Sequence, residues 1–247
     1  MNCSWNSFGD SSILRDDHIS KLSASIGAVG VAMSNDPSLV DRFRDSMRIG
    51  QAEWRDGESY DLALLLSASL EDAYAIAVML IPPRGWRDIE ALASLNVDAA
   101  RDALRAAKES GSIDVQLAMA RYAPTFLSDE ERSAILVRAL QLDELSGDLS
   151  LALDQVADFH PPAVVDALFR GLFERPGDVA CNFAAMLAFV FEKADSSFDW
   201  AFRPLFLRFN TDLHAERVDA LGELCALIGL DAAPLMASIG VVASPSV

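Results

Sequence analysis

The side chains of this 247-residue chain that could do chemistry are three histidines, three cysteines and 37 acids, and their spacing limits what they can do. His18, His160 and His214 stand far apart, with no second His and no Cys near any of them. A zinc site needs ligands converging at helical spacing, as in HExxH, so no metal and no cofactor is expected. His160 lies between Phe159 and Pro161 at a helix boundary and reads as a capping or packing group; with Asp158 it is the first acid–base pair to suspect. Cys3, Cys181 and Cys225 form no CxxC pair, and the last two sit in apolar helical contexts as small core residues, which favours a reducing compartment. The doublets Asp16-Asp17, Glu71-Asp72, Glu130-Glu131 and Asp143-Glu144 cannot act as paired carboxylates, because neighbours on a helix point in different directions. There is no GxGxxG, P-loop or GxSxG elbow. No catalytic residue is assigned.

Acids do gather beside large aromatics. Glu53, Trp54, Asp56, Glu58, Tyr60 and Asp61 form one group, Trp86, Asp88 and Glu90 a second, and Asp195, Asp199 and Trp200 a third. Tryptophan beside a carboxylate can seat a basic residue, since it offers apolar area, a cation–π face and a counter-charge. These twelve residues are the candidate partner-binding set. The competing reading makes each tryptophan a core plug and its acids helix caps. The two readings are balanced at Trp54; the core reading leads at Trp86 and Trp200.

The formal charge of −17 narrows the partners. Residues 51–100 carry nine acids and three bases, and residues 151–200 eight acids and three bases. Such a surface repels a phosphate backbone and an anionic membrane, and it attracts a basic protein. Acidity that serves only solubility is the alternative. The polar start, Met1 to Asp10, has no basic region followed by an apolar one, so no secretory signal and a cytoplasmic location are expected. No apolar run reaches the roughly 20 residues that a bilayer requires.

The elements that must position these groups are helices. Apolar residues recur at helical spacing almost throughout, and no convincing alternating strand appears. A loose leader over 1–12 precedes a helix from Asp16 to Met33. Asn35-Asp36-Pro37 signals the next start, with Asp36 as cap. Helices follow over 60–67 and 70–80, until Pro82-Pro83 ends the stretch. The clearest unit is 86–123: a short helix from Trp86, a second capped by Asn96, a turn at Gly111, and a third capped by Ser112. Ser128-Asp129-Glu130-Glu131 is a capping box. Gly147-Asp148 reads as a turn, with helices over 149–159, 161–173, 177–193, 199–209 (bent at Pro204), 212–228 and 234–239, then a tail over 241–247. About a dozen helices with short connections make an all-α chain, a single domain over 13–240.

The run Asp98 to Ala107 followed by Gly111 to Ala120 resembles a HEAT repeat: an apolar first helix, a short turn with Asp114 and Val115, and an alanine-rich second helix. Gln116 departs from the arginine common at its position. Arg48 to Asp61 and Phe198 to Asn210 resemble segments of uncharacterised bacterial HEAT-repeat proteins. The resemblance implies a short α-solenoid of antiparallel helix pairs; a compact bundle is the alternative. Small acidic HEAT-like proteins occur among immunity proteins of bacterial toxin systems, which implies a non-catalytic inhibitor that occludes a basic toxin, such as a nuclease, with an acidic face. The alternatives are a lyase-like enzyme or accessory on a HEAT-like scaffold, and a generic adaptor.

Overall fold

The computed structural model describes residues 37–48, 57–109, 111–142, 147–175, 177–197 and 199–238. The leader over 1–12, the helix expected over 16–33 and the tail over 241–247 lie outside them, as do Glu53, Trp54 and Asp56. Among the described residues the chain is all-α, with thirteen α-helices, three 3-10 turns and no strand. The helices are α1 (Leu39–Ser46), α2 (Leu62–Leu66), α3 (Leu70–Met79), α4 (Trp86–Ser94), α5 (Asp98–Ala107), α6 (Ile113–Tyr122), α7 (Asp129–Ala139), α8 (Gly147–Asp158), α9 (Pro162–Glu174), α10 (Asp178–Val190), α11 (Arg203–Phe206), α12 (His214–Ile228) and α13 (Ala232–Ser238).

Local chemistry sets several of the starts. The Ser128 hydroxyl accepts from the Glu131 amide while the Glu131 carboxylate accepts from the Ser128 amide, a complete capping box that opens α7. Ser69 caps α3 by accepting from the Asp72 amide. The cap of α1 is Ser38 and not Asp36, because the helix begins two residues beyond Pro37; its hydroxyl accepts from the Asp41 amide. Asn96 does not cap α5 either. Val97 takes that position, and the Asn96 amide oxygen accepts from Arg101. Gly147 opens α8 where a turn was expected. Gly229 closes α12 in the left-handed region, φ 79°, which a glycine adopts without a Cβ clash. Around Pro204 the single expected helix resolves into two 3-10 turns flanking α11.

Most helices pack on their successor, on the helix after that, or on both. α2, α4, α6, α8, α10 and α12 touch in sequence along one layer; α1, α3 and α5 touch along the other, and so do α7 and α9. Two apolar clusters result. Phe43, Ile76, Leu92 and Met119 belong to the N-terminal cluster, and Leu136, Leu168, Phe183 and Leu224 to the C-terminal one. They meet in α6, which buries every residue from Val115 to Ala120, with Ala118 in the first cluster and Leu117 and Ala120 in the second. α10 is buried from Val179 to Ala188, Cys181 included. Each large side chain so enclosed contributes roughly 1.5–3 kcal/mol.

Buried polar groups tie the helices together, within a layer and across the two. Gln155 of α8 donates to the Leu117 carbonyl of α6 (3.1 Å), and Arg138 of α7 donates to the Gln116 side chain (2.7 Å). Arg217 donates to the carbonyls of Thr211 and Phe173, satisfying an acceptor in the last turn of α9. No helix among the described residues is long and apolar enough to cross a membrane.

Candidate functional site

The N-terminal ends of α4, α6 and α8 border one cleft of about 480 Å³, which Gly57 and Tyr60 also line. Alternation explains the convergence. Successive helices of one layer start at the same edge, so residues far apart in sequence arrive side by side. α4 supplies Trp86, Arg87 and Asp88, with Arg84 and Gly85 just before it; α6 supplies Asp114; α8 supplies Asp148 and Leu151.

Asp88 is the buried pivot, only 2% exposed. Its carboxylate accepts from the Tyr60 hydroxyl and from the Arg84 amide, both at 2.8 Å, and the Arg84 guanidinium stands 3.7 Å away. Burial, then the hydrogen bond and the negative charge of Asp88, push the Tyr60 phenol up to about 12. Tyr60 packs edge-on against Phe43, ring centroids 5.7 Å apart. Trp86 stacks on Tyr122 of α6 at 6.2 Å and 19°. The Arg87 guanidinium lies 4.4 Å from the Trp86 ring centroid while its Nε donates to the Glu58 carbonyl. Both guanidinium groups and Asp88 are therefore already engaged.

Asp114 and Asp148 are not. Neither makes a hydrogen bond or ion pair among the described residues. Burial, then the like charge of Asp148, raise the Asp114 carboxyl above the ordinary aspartate range, and the charge of Arg87 only partly opposes this. Asp114 Oδ2 lies against Gly85; a Cβ there would stand 3.0 Å from that oxygen, so glycine keeps the floor of the cleft open. The arrangement is an aromatic wall beside two half-buried carboxylates that lack a bonded cation.

The twelve residues singled out from sequence separate. Tyr60, Trp86 and Asp88 meet in the cleft, and Glu58 lends it a backbone carbonyl. Asp88 cannot be an exposed partner contact, because Tyr60 and the Arg84 amide consume it. Asp61 caps α2 through the Ala63 amide. Glu90 sits beside the Tyr122 phenol, raised by burial and then by this carboxylate, and Glu90 Oε2 is buried with no hydrogen-bond partner. Asp195, Asp199 and Trp200 lie after α10, away from the cleft residues; Asp199 caps a 3-10 turn through the Ala201 amide. Trp200 is 70% exposed, against the core reading, and the Arg203 guanidinium lies 4.5 Å from its ring centroid. His160 directs Nδ1 to the Val156 carbonyl at 2.9 Å, which leaves that nitrogen serving the end of α8, and Asp158 is exposed.

Sequence reasoning missed Arg84, Arg87 and Asp148, and read Asp114 only as part of a repeat. The available signal was an acid in the first turn of alternate helices: Asp88, Asp114 and Asp148. Among the described residues no group of three or more His, Cys, Asp or Glu side chains could hold a metal ion. Compared with known proteins, the chain matches no family model, no curated protein and no solved structure.

Proposed function

We propose that this chain is a non-catalytic protein-binding scaffold whose cleft seats a lysine or arginine of a basic partner. The observation that carries the reading is the Asp114–Asp148 pair: two half-buried carboxylates face the same space beside Trp86 with no bonded cation of their own. An inserted cation would relieve their repulsion and lie along the tryptophan face. The formal charge of −17 steers such a partner in, and salt screens the attraction. In the immunity-type setting that the HEAT-like resemblance implies, the partner is a basic bacterial toxin, and inhibition is occlusion of its phosphate-binding surface.

The sign of the Asp114 shift makes this testable. A carboxyl raised in the fold adds stability below its unfolded value and loses it as pH rises through the folded one, so the ionised pair costs stability at neutral pH. The variant D114N/D148N should unfold at a slightly higher temperature than the parent. It should also bind the basic protein encoded beside its gene about 10- to 100-fold more weakly in low-salt calorimetry. Parent-level affinity in that variant removes the cleft from the interface.

A further inference from the structure

Among the described residues, α3 has an apolar stripe that nothing covers. Leu70, Tyr74 and Val78 recur every fourth residue on one side of the helix and are 76%, 57% and 53% exposed. Leu66 before the helix and Ile81 after it are exposed as well. The opposite side, through Ala73, Ile76 and Ala77, is spent on the core. At its start the stripe runs into a groove of about 360 Å³ that Leu65, Leu66, Leu70, Leu95 and Val97 help to line. Single exposed leucines are ordinary on a protein surface, whereas a run continuous with an apolar groove marks an interaction site.

Charge selects the occupant. From residue 56 to residue 83 the chain has the acids Asp56, Glu58, Asp61, Glu71 and Asp72 and no lysine or arginine. Glu71 is exposed next to the stripe and has no ion-pair partner among the described residues. Arg44 reaches Met79, but Asp41 holds its guanidinium. A second copy of the chain, at −17, is repelled, and so is an anionic lipid surface. Leu70 to Val78 covers about 12 Å of helix, the span over which i, i+4 and i+7 anchors of a partner helix engage.

We infer that α3 is a docking face for an amphipathic helix of a partner protein, apolar on one side and flanked by lysine or arginine. Leu70, Tyr74 and Val78 receive its apolar side, and Glu71 meets its basic edge. This face is separate from the proposed cleft, since none of its residues lines that cleft.

The test uses the full chain and two labelled peptides of about five helical turns with the same leucine stripe, one flanked by lysine and one by glutamate. Anisotropy should show binding of the Leu–Lys peptide and none of the Leu–Glu peptide. The variant L70S/Y74S/V78S, which alters only exposed side chains and whose fold is checked by circular dichroism, should weaken that binding by about tenfold or more. D114N/D148N should leave it within about twofold, so failure of the cleft reading and failure of this one are distinguishable. Equal affinity for parent and triple variant, or equal affinity for the two peptides, overturns the inference. So does a parent dimer in sedimentation that the triple variant abolishes, because that assigns the stripe to a second copy.

Discussion

Adding one methyl group to α9 tests the packing that supports this layer of helices. Gly171 faces Phe183 of α10, and a Cβ on Gly171 would stand 2.2 Å from Cε2 and 2.3 Å from Cδ2 of that ring. Carbon atoms pack best at about 3.5–4.0 Å, so the ring must retreat by more than about 1 Å. It has nowhere to go, since Phe183 is fully buried. Two effects oppose each other in Gly171→Ala. Alanine gains about 1 kcal/mol of helix propensity over glycine. Overpacking a well-filled core costs about 1–3 kcal/mol, and the shortfall here points to the upper end. The net expectation is a loss of about 1–2 kcal/mol, or roughly 2–8 °C in Tm for a chain of this size. Gly222 of α12 is the internal control: a Cβ there meets nothing within 4 Å, so Gly222→Ala should stabilise by about 0.5–1 kcal/mol. Urea titrations of the two variants should move the midpoint in opposite directions. A G171A protein as stable as the parent would refute the close approach of α9 and α10.

Two further outcomes follow from the caps and the cleft. Ser128→Ala removes the side-chain half of the capping box and should cost about 1 kcal/mol in the same titration, with Ser128→Asp retaining most of it; an unchanged midpoint would mean that α7 starts without this bond. Phenolate absorbance should show Tyr60 ionising at about pH 12, and Asp88→Asn should bring it down without reaching the ordinary value of 10, because burial is the larger cause. The raised phenol stabilises the fold in full below about pH 10, and that contribution disappears as pH rises through about 12.

What the chain revealed before its structure was whatever depends on near neighbours. The box at Ser128 needs only residues three apart, and the helix over Trp86–Ser94 only a periodic apolar face, so both were legible. Where two local signals competed the outcome was less readable: Pro37 follows Asp36, yet the helix starts later and Ser38 caps it. Asn96 had the right side chain for a cap but found Arg101 instead. The cleft was largely hidden, because Trp86, Asp114 and Asp148 come from separate helices and Tyr60 from the loop before α2, and they share a site only through the stacking order. Trp200 shows the limit of composition: size favoured burial, but which face of a short turn points outward is decided by tertiary contacts.

The helix that belongs to both apolar clusters has a mechanical meaning. Because α6 turns Ala118 and Met119 towards one half and Leu117 and Ala120 towards the other, neither half can come away without stripping one flank of that rod bare to water. A shared partition of this kind welds two modest nuclei into one melting unit. On the proposed reading, a pull on a partner seated at Asp114, in the first turn of the same rod, would be felt on both sides of the molecule at once.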